Sequence, residues 1–526
     1  MNRRVVITGM GVVAPNAVGL ENFQGAIQEG KSGITFHQKL QDLKFSCCIG
    51  GIPSISEEMK SQYLTPLQLR GFDSAGILYG CIAGTDAWAD AGFKIDKNSP
   101  TDYNSGMVFG TGKSGTEKFR EAIYKLDDQK VKRLGSTVVV QTMASGISAY
   151  LGGILGLGNQ VTTNSSACAT GTEALLMGFE RVQSGKASRM LVGSCSDDGA
   201  YIWGGFDAMR VLTYKYNKSP EKGSRPMSAL ASGFVPGSGA GALVLESLET
   251  ALKRKATIYA EVLGGNINSG GQRNGGTLTA PNSEAVQRCI TDAIKDANIK
   301  CSEIDAINGH LTATTKDPVE IENWTKALKR SGKDFPIINS IKSMIGHCLS
   351  ASGSIECVAT VLQLKHQFIF PNIAMGVQAD GCILLNWFPH PSDPEKCFFD
   401  LWDMGYSIGG AAKGIGKTGR DERQEFTSTS AGIGKSDSYD QEFISRTKVN
   451  PVKLQEAELD LRDYDGGNGV EDLWDHVVYQ DWQLTDGLRR GVRSKGYQEP
   501  YLSAQESRVR FFHETLHDYL NGKPPK

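Results

Sequence analysis

Three short stretches carry the side chains that could do chemistry. They are SSACATG around Cys168, NGHLTATTKDPVE around His310, and NSIKSMIGHCLSASG around Lys342 and His347. Cys168 stands among small residues where a β-rich run gives way to a helical pattern. At a helix start a thiol meets free backbone N–H groups and the positive end of the macrodipole. Both lower its pKa and favour the thiolate, which is the nucleophile. A free cysteine is more commonly a buried structural residue; the turn and its small neighbours favour a nucleophile here. A single histidine is usually a satisfied surface or core residue. Two of them, each in a small-residue turn after a strand, together with a helix-start cysteine, are much harder to attribute to chance.

The elements around these residues must place them. Val161 to Gly185 reads as strand, tight turn, cysteine and helix, with apolar positions at Ala174, Leu175, Gly178, Phe179 and Val182 and Gly185 as the stop. Earlier, Val5–Thr8 is a strand, and Gly9 and Gly11 read as a tight strand-to-loop turn. Pro15 and the missing third glycine rule out a dinucleotide loop there. A helix is predicted over Leu20–Gln28 and a long one over Thr65–Ala91. Buried strands are predicted at Met107–Gly112 and Met190–Ser194, and Phe234–Glu246 reads as a central strand entered through a tight glycine-rich loop.

A second series starts near Thr257, with strands at Ala260–Gly264, Ile304–Asn308 and Pro336–Ser340, and helices at Asn282–Ala297 and Ile321–Arg330. Its strand, turn and helix around His347 have the outline of the Cys168 stretch, and set His347 where the first series sets Cys168. That suggests an internal duplication of two α/β halves. Continuous apolar strands alternating with helices imply sheets covered on both faces.

The chain has 526 residues, enough for more than one domain, and a net charge of -2. Near-neutrality gives no electrostatic footprint for nucleic acid, and no apolar run is long enough to span a membrane. The eleven cysteines include no CxxC pair and all precede Asp400, which fits reduced thiols and a cytoplasmic setting. No metal and no cofactor are expected.

With RRVVITGMGVV at the start and GFVPGSGAGALVLE before the second series, the three motifs resemble the β-ketoacyl-acyl carrier protein synthase family, in its elongating Cys-His-His form. The resemblance runs from Asn2 to about Ala412. It implies an α/β thiolase-like fold of two duplicated halves, 1–250 and 251–416, with helix-covered mixed sheets. It implies decarboxylative condensation of an acyl chain with malonyl-acyl carrier protein in fatty acid, polyene or polyketide synthesis. The partners would be acyl- and malonyl-loaded carrier protein, and a second ketosynthase chain in a homodimer or heterodimer. Cys168 would carry the acyl chain. His310 and His347 would donate to the enolate oxygen as neutral imidazoles. Lys342 would hold the His310 region and supply positive charge, and Glu320 would orient that network; an ordinary Lys342–Glu320 ion pair is the plainer alternative.

Three departures stand out. The family's His-Gly-Thr turn is His310-Leu311-Thr312, so either the turn does not need glycine's conformation or the pocket is reshaped. Its Gly-Glu-Gly-Ala-Gly run is Gly237-Ser238-Gly239-Ala240-Gly241. Its closing Phe-Gly-Phe-Gly-Gly gate has only Tyr406-Ser407-Ile408-Gly409-Gly410 as a counterpart, with Tyr406 and Ile408 as gate and oxyanion positions. Two other readings remain. A non-catalytic chain-length partner subunit would lack the nucleophile. A thiolase-like acyltransferase would need a second cysteine in a glycine-rich turn, and Cys382 and Cys397 are not in one. Residues 417–440 read as a polar linker, and 441–526 as a helical appendage weakly similar to the end of Rieske oxygenase α subunits, without their iron ligands.

Overall fold

The structure, a computed structural model, describes residues 3–277 and 280–369. Past these it gives only the strand backbone of Ala374–Gln378, Gly381–Pro389, Cys397–Gly405, Ser407–Ile408, Ala411–Ala412 and Thr429–Ala431. The chain divides into two units, Met1–Pro371 and Asn372–Lys526. In the second unit the first three of those strands and Thr429–Ala431 form an antiparallel sheet in that order. Tyr406, the linker and the appendage lie outside the described residues, and Ile408 is described only as strand backbone.

The first unit is built on one sheet. Its strands are β1 (Val5–Ala14), β2 (Ala17–Val18), β3 (Ser105–Thr111), β4 (Val161–Thr162), β5 (Arg189–Ser196) and β6 (Gly239–Ser247). Their order is β2-β1-β6-β5-β3-β4. β5, β3 and β4 run parallel, and β6 is antiparallel to both of its neighbours. The second series supplies β7 (Ala260–Val262), which pairs with β1, and β8 (Ala306–Asn308) parallel to β9 (Ile337–Asn339).

Helix α1 (Ala75–Asp90) covers the sheet, and three helices position the site: α2 (Thr170–Gln183), α3 (Asp317–Leu328) and α4 (Ser352–His366). The main sheet has apolar side chains on both faces. Met190, Val192, Leu243 and Leu245 pack under α2 and α4. Leu191, Phe109, Ala242 and Val244 pack under α1 and the helix Gly146–Leu155. Burying both faces explains why the central strands read as unbroken apolar runs rather than as alternating ones.

Several expectations are corrected. Gly9 and Gly11 are not a turn: both lie inside β1. A Cβ on Gly9 would stand 2.3 Å from Ala87 O, and one on Gly11 would stand 2.0 Å from Ala83 O, so the glycines let α1 lie directly on the strand. The long helix over Thr65–Ala91 is two, Pro66–Leu69 and α1, separated at Arg70–Ser74.

The duplication is visible, with a shift of register. Each half ends its turn in a short 3₁₀ segment, Ala167–Ala169 or Leu349–Ala351, that runs straight into α2 or α4. The first residue of each segment is left-handed, Ala167 at φ 51° and Leu349 at φ 49°. Aligned this way, the counterpart of Cys168 is Ser350, and His347 lies three residues upstream of it. The helix starts cross at Gly171 and Gly353. A Cβ on Gly171 would come within 2.3 Å of Ser354 N, and one on Gly353 within 2.5 Å of Thr172 Oγ1.

Candidate active site

The crossing of α2 and α4 brings residues from the two halves together. Cys168 Sγ and one ring nitrogen each from His310 and His347 all lie within 4.8 Å of one another. The two imidazoles meet edge to face, with centroids 5.2 Å apart.

The Cys168 turn is tied by its own side chains. Thr170 Oγ1 accepts from Ser166 N–H at 2.9 Å and donates to Ala167 O at 2.6 Å. Asn164 donates to Thr170 O at 3.0 Å, and Ser166 Oγ donates to the Glu173 carboxylate in the first turn of α2. These bonds hold Ala167 in its left-handed conformation, which costs on the order of 1 kcal/mol or more for a non-glycine residue.

A helix start by itself lowers a thiol's pKa. The net direction is upward. Burial pushes it up; Lys342 pulls it down, Glu356 pushes it up, and a backbone hydrogen bond pulls it down. Desolvation of the charged form outweighs the helix N-terminus here. Cys168 therefore rests as a thiol.

His347 is 3% exposed and held from several directions. Its backbone N–H donates to Val235 O at 2.7 Å, and its carbonyl accepts from Gly237 N–H at 2.8 Å. The glycine-rich GFVPGSG run thus clamps His347 as well as entering β6. Leu349 N–H donates to His347 Nδ1 at 3.1 Å. An acceptor Nδ1 leaves the ring proton on Nε2, which makes the neutral ring a donor at that end. Burial, then His310, then Lys342 hold its pKa well below the usual imidazole range. His310 as a residue keeps exposed surface, while its ring is desolvated by what packs around it. Burial first and Lys342 second depress its pKa as well.

The spacing of these three residues could hold a metal ion, so the tautomer matters. A nitrogen that keeps its proton cannot ligate, and Leu349 N–H fixes that proton on Nε2 of His347. The geometry fits hydrogen-bond donation.

Lys342 is 1% exposed and pairs with Glu356 on α4, not with Glu320. Glu320 accepts from the backbone N–H groups of His310 at 2.6 Å and Leu311 at 2.8 Å. Asp317, also on the first turn of α3, accepts from Thr312 at 2.9 Å, Ala313 at 3.1 Å and Thr314 at 3.3 Å. Two carboxylates three residues apart thus gather five consecutive amides and fix the His310 turn. Burial raises both of their pKa values, and the donated N–H bonds work against that. Lys342 makes no ion pair with the turn but acts on His310 and Glu320 through its charge. Lys342 supplies charge, and Glu320 and Asp317 supply position.

Leu311 resolves the first departure. The left-handed residue of the turn is Ala313, at φ 63°. Leu311 is 1% exposed and packs against Gly309, where a Cβ would lie 2.9 Å from its Cγ. The turn does not need glycine at 311. Among the described residues, sequence reasoning missed Glu356, Asp317 and the aromatic row Phe206–Phe234–His347, whose successive centroids are 5.6 and 5.2 Å apart. The DPVE spacing, two acids on one face of a helix's first turn, was the available signal for Asp317.

Residues 2–251 match the family model for the β-ketoacyl synthase N-terminal domain, and 259–375 match the C-terminal domain. Residues 448–522 match the ring hydroxylating α subunit catalytic domain. The chain is 33% identical over 400 residues to 3-oxoacyl-[acyl-carrier-protein] synthase 1 of Escherichia coli (strain K12), covering 75% of this chain and 94% of that one. A β-ketoacyl synthase crystal structure from Burkholderia phymatum STM815 superposes with a TM-score of 0.64 at 27% identity, over 70% of this chain and 88% of that one. A type II polyketide synthase acyl-carrier protein in complex with its ketosynthase bound to the hexaketide gives 0.61 at 28%, with the same coverage.

Proposed function

We propose, from the premise that this chain belongs to the β-ketoacyl synthase family, that Cys168, His310 and His347 carry out its condensation. The enzyme is an acyltransferase that condenses an acyl chain with malonyl-acyl carrier protein. The Cys168 sulfur attacks the acyl-carrier thioester; the acyl group moves to Cys168, and the carrier's thiol leaves with the proton the cysteine gives up. Malonyl-carrier protein then loses carbon dioxide, and its electron pair becomes an enolate whose oxygen takes hydrogen bonds from His347 Nε2–H and from His310. The enolate carbon attacks the acyl-Cys168 carbonyl, and the β-ketoacyl product stays on the carrier protein while the Cys168 sulfur is released. Neutral imidazoles suit this role, because they donate a hydrogen bond without delivering a proton that would quench the carbanion.

Lys342, paired with Glu356, sets the potential around the thiol and both rings. The working partner is a carrier protein, as in the polyketide complex that this fold matches. The enzyme works as a dimer with itself or with a related ketosynthase chain.

The observation that carries this reading is the clustering of one thiol and two imidazoles within 4.8 Å, with His347 Nδ1 accepting from Leu349 N–H so that its proton sits on Nε2. Incubation with acyl-carrier protein should add one acyl mass to the peptide that contains Cys168. Uptake and condensation by Cys168→Ala would refute the assignment.

A further inference from the structure

The two matched turns use their hydroxyls differently. Thr170 and Ser352 occupy the same place, the first residue of the helix after the 3₁₀ segment. The Thr170 hydroxyl is spent inside its own turn, on Ser166 N–H and Ala167 O. Ser352, 2% exposed, instead has its Oγ 2.9 Å from His347 Nδ1.

Leu349 N–H already makes Nδ1 an acceptor. A backbone amide cannot reverse its role, so the Ser352 hydroxyl must be the donor in its contact. Nδ1 therefore receives two hydrogen bonds. We propose that Ser352 is a positioning residue, a second donor that locks the His347 ring and strengthens Nε2–H as the donor to the enolate oxygen. The inference rests on the reading of His347 as that donor.

Two arguments support it. Turning the ring over would break both bonds to Nδ1 in a site where the side chain has almost no access to water, so neither would be replaced. Donors to Nδ1 also draw electron density from the ring, and linked hydrogen bonds polarise one another in a low-dielectric setting. Nε2–H then becomes the stronger donor. The edge-to-face contacts with Phe234 and His310, each at 5.2 Å, guide the plane of the ring but cannot distinguish its two ends by hydrogen bonding. Only the groups at Nδ1 can.

The test uses the full chain with Ser352→Ala. Acyl loading of Cys168 and decarboxylation of malonyl-carrier protein are measured separately, alongside the ¹⁵N spectrum of histidine-labelled protein. Loading should be unchanged. Decarboxylation should fall about fivefold in kcat with KM held, the size expected for one hydrogen bond. The His347 Nδ1 resonance should move downfield, towards that of a less hydrogen-bonded acceptor, while Nε2 stays protonated. Decarboxylation at the wild-type rate, an unmoved Nδ1 resonance, or a parallel loss of loading would each overturn the inference. His347→Ala, run beside it, keeps the two readings apart. If that variant decarboxylates undiminished, the role of His347 itself is wrong; if it fails while Ser352→Ala does not, only the role of Ser352 is wrong.

Discussion

At Cys168 two opposing influences meet, and the structure says which one dominates. Burial raises the thiol's pKa more than Lys342 and the backbone lower it. The reaction of Cys168 with iodoacetamide should therefore still be rising with pH beyond the ordinary thiol value. Charge substitutions should move that profile in opposite directions. Lys342→Met removes an influence that lowers the pKa and should shift the profile to higher pH. Glu356→Gln removes one that raises it, leaves Lys342 unpaired, and should shift it to lower pH. Profiles that move the same way would show that the pair acts only through structure. The His310 prediction is independent of the thiol. His310→Ala should accept an acyl chain yet release carbon dioxide about a hundredfold or more slowly, since an oxyanion donor contributes roughly 3–4 kcal/mol. Decarboxylation at the wild-type rate would remove His310 from the reaction. Cys168, His310 and His347 were legible in the sequence as candidates because each sits in a compact motif of small residues, and the structure brings the three together. The pKa of the thiol was not, because burial is set by chains far away in sequence. Glu356 was not legible either: it is fourteen residues from Lys342, and a turn and a 3₁₀ segment separate the two before they pair.

At the scale of elements, the site depends on how closely α2 and α4 approach. Gly171 and Gly353 allow that approach, and a methyl at either meets backbone or side-chain atoms at 2.3–2.5 Å. Gly353→Ala should destabilise the fold by about 1–3 kcal/mol, as overpacked sites do. It should also slow acylation of Cys168, by moving one turn against the other. Gly153→Ala is the contrast. Gly153 lies inside the helix Gly146–Leu155 and a Cβ there meets nothing within 4 Å. It should be neutral or stabilise by up to about 1 kcal/mol, because alanine is the better helix former. Equal urea midpoints for the two variants would show that the crossing is not tight. Most elements were readable from apolar runs and caps: Leu20–Gln28 is found as expected, and Asn282 caps the helix Ser283–Asp296. The misreadings share a cause. Gly9 and Gly11 look like turn residues because glycine usually marks turns, whereas here a helix eighty residues away lies against the strand. The break at Arg70–Ser74 falls in a stretch with no proline, although Gly71 has φ 66°.

On the scale of the molecule, the two-half outline was readable because the same strand, turn and helix recur. The offset between Cys168 and His347 was not, because it depends on which residue begins each 3₁₀ segment. Among the described residues no helix is long and apolar enough to cross a membrane. The floor of the main sheet shows how polar groups stay buried in such a fold. Glu246, 0% exposed, takes Arg189, Arg254 and Thr8 as partners. The two guanidiniums lie over the Phe93 ring at 4.5 and 4.4 Å. Removing the carboxylate would leave Arg254 without its ion-pair partner while Arg189 keeps Asp102, the kind of loss that costs several kcal/mol.

The paired crossing of the helix starts also has a kinetic meaning. The proposed nucleophile, Cys168, comes from one half and both histidines from the other, about 140 to 180 residues later in the chain. Neither half contains a complete reactive centre, so a newly made chain does not expose an assembled site while the halves are still apart. Contacts of such long sequence separation form late, because the chain entropy of closing them must be overcome first. On dilution from urea, the far-ultraviolet circular dichroism should recover before Cys168 regains its capacity to take an acyl chain. The lag should lengthen in Gly353→Ala, whose junction is harder to close. Simultaneous recovery of both signals would mean that the halves fold as one cooperative unit, with no interval in which each is shaped but the centre is not.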